Sequence, residues 1–320
     1  MSSAATSDAM NVITLGVHVL DVLVRPVEEI PAGQGGQLVE QIRITPAGSA
    51  GGTAITLAKL GARVRSAGAI GQDELGDVLL ELLGGFGVDT SLLVRRPDVQ
   101  TSASVLPIRQ DGSRPAFHVV GANATYASAD APWDAIAAAD FLHLGAPELM
   151  GGEEAARILG FAKEHGTVTS ADLLAPGEQA AAIVDWVGPA LEHVDYLLPN
   201  EEQVIGLTGR DDLVEGCREL LARGVGCVAA TRGAEGAVVI SADDEERVPA
   251  LATEVVDTTG CGDAFSAGFL RGLSLGRAPR ESALLGSAAA ALVAGGLGSD
   301  YGDFDLAAIE RLATEGSVSR

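Results

Sequence analysis

The chain has 320 residues and is 47% hydrophobic, enough to bury a substantial core in two domains or in one large α/β domain with an insertion. A formal net charge of −23 repels nucleic-acid phosphates and anionic membranes, which excludes both as main partners. No apolar run reaches the ~18–20 residues that cross a bilayer, the N-terminus carries no basic and apolar leader, and three widely spaced cysteines (Cys217, Cys227, Cys261) fit a reduced, cytoplasmic compartment.

In chain order, strands are expected at 12–17, 64–70, 141–144, 168–172, 196–198, 227–230 and 237–240. Helical periodicity falls between or after them at 52–60, 74–84, 153–164, 200–207, 213–223, 263–273, 280–294 and 306–313. Strand followed by helix, repeated, predicts a doubly wound, mostly parallel sheet sandwiched by helices. Two stretches break the alternation. Residues 38–45 and 103–120 are β-prone and polar-interrupted, and the second contains the hairpin-type turn R-Q-D-G-S. We read them as a small β lid, in segments near 33–46 and 102–121, with ordinary edge strands as the other possibility. The domain is expected to run from 11 to 320, with a disordered tail at 1–10.

Lysine is nearly absent. Lys59 and Lys163 both lie inside expected helices, and neither belongs to a G-x-x-x-x-G-K loop or a V-A-I-K strand. Phosphate handling in such a chain must rest on backbone amides, arginines and a metal. D-T-T-G-C-G-D, from Asp257 to Asp263, supplies the first of these immediately before a helix. Glycines let a backbone approach a ligand closely, and a helix N-terminus offers free N–H groups and positive dipole character. Taken alone, Asp263 is equally well read as a solvated first-turn acid.

The motif D-T-T-G-C-G-D-A-F-S-A-G-F resembles the second signature of the ribokinase-like (PfkB) carbohydrate kinases, and its companions stand in the family's order. G-V-H-V-L-D (16–21) is similar to the opening strand, A-G-S-A-G-G-T-A-I-T-L-A-K-L-G (47–61) to the first signature, and G-A-N (121–123) to an element near the lid. L-L-P-N-E-E-Q (197–203) resembles the N-x-x-E region, and T-R-G-A-E-G (231–236) the nucleotide-side turn. The resemblance implies transfer of the ATP γ-phosphate to a hydroxyl of a sugar or sugar-like molecule. Asp263 would be the base, and the amides of Gly260, Cys261 and Gly262 the anion hole. It implies Asp21, Gly48, Gly52 and Asn123 as substrate contacts; Asn123 can instead stabilise a turn. Asn200, Thr231, Gly233, Gly236 and Ser287 would serve the nucleotide. Mg²⁺ is implied with ATP, and Gln203 would act on it indirectly. Asp257 would lie by a monovalent-cation site, K⁺ in kind, or else cap the turn. The Cys261 thiol can either pack or carry thiolate character. A homodimer through the lid is a further expectation.

The sequence departs from the family pattern on the acceptor side. Val19 stands where a polar residue often precedes the aspartate, Gly52 where the first signature ends in asparagine, and Gly145 where a strand-end glutamate can touch sugar. Gln203 replaces the glutamate of N-x-x-E, and Ser287 an asparagine beside the adenine. Ribose is therefore not implied, and a nucleoside kinase of the same fold or a non-catalytic ligand-binding homologue are the alternatives. A chain with 4% aromatic residues favours a sugar over a nucleoside base. His18 and His143 are read as core histidines, and no G-x-G-x-x-G follows the first strand, which disfavours a dehydrogenase.

Overall fold

The computed structural model describes residues 10–110, 112–174 and 180–318. β1 (Asn11–Gly16) runs through the centre of the molecule, and two residues later β2 (Val19–Arg25) has entered a different sheet. β3 (Gln41–Ala47) returns antiparallel along β2, and α1 (Ser49–Lys59) follows at once. β4 (Arg63–Gly71), α2 (Glu74–Gly85) and β5 (Asp89–Arg96) complete one flank, after which β6 (Ala103–Pro107) and β7 (Phe117–Val119) rejoin the small sheet. The chain then alternates through α3 (Trp133–Ala137), β8 (Phe141–Gly145), α4 (Gly152–Glu164), β9 (Val168–Asp172), α5 (Ala180–Leu191) and β10 (Tyr196–Leu197). It continues with α6 (Glu201–Thr208), α7 (Leu213–Ala222), β11 (Cys227–Thr231), β12 (Ala237–Ser241) and β13 (Glu245–Val248). It ends in α8 (Cys261–Ser274), α9 (Pro279–Ala294) and α10 (Leu306–Val318).

Among the described residues nine strands form the main sheet in the order β13-β12-β11-β10-β9-β8-β1-β4-β5; all run parallel except β12, which is antiparallel to both of its neighbours. β1 and β8 are near-continuous apolar runs because both of their faces are covered. The period of two still sorts β1: Ile13 and Leu15 enter one core with Leu142, Leu144 and α4, while Val12 enters the other with Val64, Phe265 and Phe269. Phe269 is fully buried, edge-on to Tyr196 at 5.6 Å and stacked on Phe265 at 6.2 Å, and this fixes α8 on the sheet. Asp73 and Asp212 cap α2 and α7 by accepting from Gly76 N–H and Glu215 N–H.

The lid is a four-stranded sheet in the order β3-β2-β6-β7. Two corrections concern it. Residues 33–40 form no strand. The opening strand ends at Gly16, so Asp21 lies on lid strand β2 and not on the main sheet. V-L-D-V-L-V-R reads as a continuation of β1 because only Val17 and His18 separate the two. β5 and β13 were not expected, since an edge strand such as E-E-R-V carries too few apolar residues to show a pattern. α5 was not expected because Pro189 lies inside it. Residues 1–9 of the expected tail lie outside the described residues, and Met10 is buried in the core. No helix of the described residues is long and apolar enough to cross a membrane.

Candidate active site

The carboxyl ends of the parallel strands converge on the N-terminus of α8, where open α/β sheets place their ligands. Gly260 precedes α8 with φ 77°, and a Cβ there would stand 2.4 Å from Ser299 Cα, so this turn requires glycine. The Cys261 N–H points to Thr258 O at 3.3 Å. Helix geometry leaves the amides of Gly262 and Asp263 without intrahelical acceptors, at the positive end of the dipole. The Cys261 thiol donates to Ala290 O at 3.7 Å. Burial, then the charges of Asp257 and Asp263, push it up to about 12, which overturns any thiolate character.

Asp263 lies against α1. A Cβ at Gly52 would come within 2.2 Å of Asp263 Oδ2, so no asparagine fits at 52 beside the carboxylate as it stands. Burial raises the Asp263 carboxyl well above the ordinary carboxylate range. The carboxylates of Asp172 and Asp21 add to the rise, and the Arg114 guanidinium opposes it. Asp172, at the end of β9, accepts from Ala146 N–H at 3.3 Å and stands 3.6 Å from His143 Nε2. Asp21 is buried on β2, and its Oδ1 has no hydrogen-bond partner. Burial raises its carboxyl to about 6; Ser104 and Arg114 oppose the rise and Asp257 adds to it. A buried oxygen without a donor fits an incoming hydroxyl.

The other expected acceptor contacts are structural in this conformation. Gly48 caps α1 with φ 89°. Asn123 Oδ1 accepts from His18 N–H at 3.2 Å, and its Nδ2 donates to His18 O at 2.9 Å, so its amide clasps the β1–β2 crossing. At Gly145 a Cβ would stand 2.5 Å from Ser49 Oγ, which leaves no room for a glutamate.

On the other side of the α8 turn lies a cleft of about 530 Å³, lined by Thr231, Gly233, Gly236 and Ser287 together with Cys261 and Gly262. Leu251, Val255 and Phe265 make its walls apolar, which suits a planar base. Asn200 stands apart from this lining. Its Oδ1 accepts from Gln203 N–H and Gln203 Oε1 accepts from Asn200 N–H, both at 2.8 Å, a reciprocal capping box on α6. Gln203 Nε2 donates to Leu173 O at 2.5 Å. Both side chains are thus committed to local structure.

Asp257 is fully buried. Its Oδ1 accepts from the N–H (3.0 Å) and hydroxyl (2.7 Å) of Thr259, and its Oδ2 from Gly298 N–H at 3.0 Å. Arg114 Nε lies 3.7 Å from Oδ1. Among the described residues no three His, Cys, Asp or Glu side chains group to hold a metal. Mg²⁺ ordinarily takes one or two carboxylates plus substrate phosphates, and Asp172, near Asp263 at the end of β9, is a carboxylate that would fit that need.

Sequence reasoning missed Arg114 and Asp172. Asp172 had a signal, as an acid at the carboxyl end of an apolar strand; Arg114 had none, since a charge near a hairpin turn usually faces solvent. The lysines serve the scaffold: Lys59 donates to the carbonyls of Asp300, Tyr301 and Gly302, and Lys163 pairs with Asp195 at 2.9 Å. His18 and His143 are buried. Burial pushes His18 down to about 4 and keeps it neutral, and His143 Nδ1 meets Ser170 Oγ at 3.0 Å.

A family profile described as pfkB family carbohydrate kinase matches residues 12–303. A nucleoside kinase of Methanothermobacter thermautotrophicus is 26% identical over 90% of each chain. A fructokinase of Vibrio alginolyticus is 27% identical over 72% of this chain and 76% of its own. A candidate ribokinase II from E. coli, solved with ATP and Mg²⁺, superposes with a TM-score of 0.82 at 21% identity, covering 96% of this chain and 99% of its own.

The buried Asp21 carboxyl makes stability depend on pH. With a folded value near 6 and an ordinary value of 3.8, the folded state keeps a proton that the unfolded chain releases, so stability falls as pH rises from about 4 to 6. At pH 7 the two-unit gap is a penalty of roughly 3 kcal/mol. Asp21→Asn is expected to raise the melting temperature at pH 7, with a smaller gain at pH 5. Equal melting of the two proteins at pH 7 would refute the buried-acid account.

Proposed function

The chain belongs to the pfkB family of carbohydrate kinases, and on that premise we propose an ATP-dependent phosphotransferase that moves the γ-phosphate to a hydroxyl of a sugar or sugar-like small molecule. One observation carries the reading: Asp263 and the open amides of the α8 turn stand between an apolar cleft and the carboxylates of Asp21 and Asp172. The nucleotide occupies the cleft between Thr231, Gly233, Gly236 and Ser287. Solved neighbours with this fold are in complex with ATP, which supports ATP as the nucleotide. Asp21 accepts from hydroxyls of the acceptor and orients it. The reacting hydroxyl gives its proton to Asp263, its oxygen bonds to the γ-phosphorus, and the bond to the β-phosphate oxygen breaks as ADP leaves. Amides at the α8 turn, Gly262 foremost with Gly260 and Cys261 beside it, stabilise the charge of the phosphoryl group in transit. Asp172 would hold a magnesium ion brought by the nucleotide, and the ion would supply charge neutralisation of the phosphates. The Asp257 carboxylate, expected beside a monovalent cation, is already bonded on both oxygens by Thr259 and Gly298.

A nucleoside acceptor is the second reading, favoured by the likeness to a nucleoside kinase over nine-tenths of each chain. Free cysteines at 217, 227 and 261 support a cytoplasmic location. The lid supports a homodimer. Ile44, Val22, Val105 and Phe117 lie directly opposite one another across all four strands and form an apolar row whose outer members are exposed.

Asp263→Asn is expected to lower kcat by roughly 10²–10⁴ while ATP binding, followed by calorimetry, is retained; near-normal turnover would remove Asp263 as the base. A coupled assay over sugars, sugar phosphates and nucleosides identifies the acceptor. Turnover is expected to stop on chelation of Mg²⁺, and a signal surviving chelation defeats the mechanism. For the dimer, sedimentation of wild type and Phe117→Glu is decisive: the first should run as a dimer and the second as a monomer, and a monomeric wild type refutes the lid interface.

A further inference from the structure

The loop after α9 touches the α8 turn at two points. Gly298 N–H donates to Asp257 Oδ2 at 3.0 Å, and Ser299 packs so closely on Gly260 that a Cβ there would stand 2.4 Å from its Cα. A shift of this loop therefore moves the glycine that sets the turn. Two side-chain cations hold the loop. Lys59, the last residue of α1, donates to the carbonyls of Asp300 at 2.7 Å, Tyr301 at 3.0 Å and Gly302 at 2.7 Å. An ammonium has three N–H donors, and three carbonyls receive them. The rings of Phe304 and Phe86 face the same nitrogen, with centroids at 4.8 and 5.4 Å. Arg43 of β3 donates to Leu297 O and to Asp300 Oδ2.

We propose that Lys59 is a positioning residue that acts as a tethered monovalent cation, its ammonium ordering the 297–302 loop so that turnover needs no monovalent metal ion. The proposal rests on the reading of the α8 turn as the phosphate site.

The K⁺ ion implied beside Asp257 does not fit the residues as they stand. Oδ1 is bonded by Thr259 and Oδ2 by Gly298, and the carbonyls at 297, 300, 301 and 302 are taken by Arg43 and Lys59. Carbonyl cages hold K⁺ by replacing its hydration shell with oxygen dipoles. An ammonium carries the same single charge and is served by the same dipoles. The chain's other lysine, Lys163, pairs with the carboxylate of Asp195, whereas the three hydrogen bonds of Lys59 all go to carbonyl oxygens, the ligand type that suits an alkali ion. The charged groups that face Lys59 are Asp300 and Asp303, which favour the ammonium, and Arg43, which opposes it. Burial brings Lys59 down to about 8, so the charge is kept at neutral pH. Because this cation is covalently attached, its local concentration does not vary with the salt around the protein.

The test compares wild type and K59A in chloride salts of K⁺, NH₄⁺ and tetramethylammonium at a common ionic strength of about 0.1 M, with ATP supplied free of alkali ions. Turnover is followed with Mg·ATP and D-ribose, D-fructose or adenosine, whichever is fastest, and thermal melting is followed without substrates. Wild type is expected to turn over equally in all three salts. K59A is expected to lose about tenfold in tetramethylammonium and to regain most of it in NH₄⁺ or K⁺, since either ion can enter the vacated carbonyl cage. Those two ions are also expected to raise the melting temperature of K59A and not that of wild type. Activation of wild type by K⁺ overturns the proposal. So does a K59A loss that is the same in every salt, because the lysine would then be a structural prop whose charge no free ion replaces. The wild-type series decides by itself if K59A fails to fold. Absence of turnover with every acceptor would count against the kinase reading instead, and the melting series would still test Lys59.

Discussion

Everything at the centre of this molecule hangs on one buried carboxylate. Asp257 gathers two donors from Thr259, which shapes the turn ahead of α8, and one from Gly298, which ties that turn to the loop after α9. The loop is in turn fastened to the lid, because Asp300 accepts from Thr45 at 2.6 Å and from Arg43 at 3.0 Å on β3. Lys59 of α1 holds the following carbonyls from beneath, at the expense of its own proton affinity: burial brings its ammonium down to about 8. A buried charge is tolerated only when its donors are in place, so the turn, the loop and the lid root are held to one mutual arrangement.

The two halves of the site are built from opposite materials. On the cleft side, small and apolar residues of the 250–255 segment, α8 and α9 leave room for a flat base and ask little of specific hydrogen bonds. On the acceptor side, carboxylates crowd together, and burial and like charge raise the proton affinity of Asp21 and Asp263. The α8 turn divides them, and its amides and dipole provide positive character without a positive side chain. In a chain with net charge −23, a magnesium-bound nucleotide is far easier to admit than a bare polyphosphate.

The sequence made the main sheet legible because its parallel strands are apolar on both faces, and it made the α8 turn legible because glycine, threonine and aspartate crowd into seven residues there. The β2 strand was hidden by its continuity with β1, and α5 by Pro189. Side-chain roles were harder to read than positions. Asn123 and Gln203 occupy the expected places, yet their amides are engaged by neighbouring backbone, a fact of local geometry that residue type does not carry. Gly52 and Gly145 looked like lost contacts; the structure shows that they are spaces already filled by Asp263 and Ser49. Arg114 was invisible because its position depends on a hairpin folding back over strands from elsewhere in the chain.

The clasp between Asn123 and both backbone groups of His18 fixes the root of the lid. A sheet gripped at its root behaves as a leaf spring clamped at one end, with deflection growing along its length. Asp21 sits on β2 beside the clamp, and Arg114 rides the distant hairpin. Bending of such a sheet would displace Asp21, near the root, less than Arg114, near the tip. Asp21 thus stands at the stiff end of the lid, where substitutions in the outer strands disturb it least.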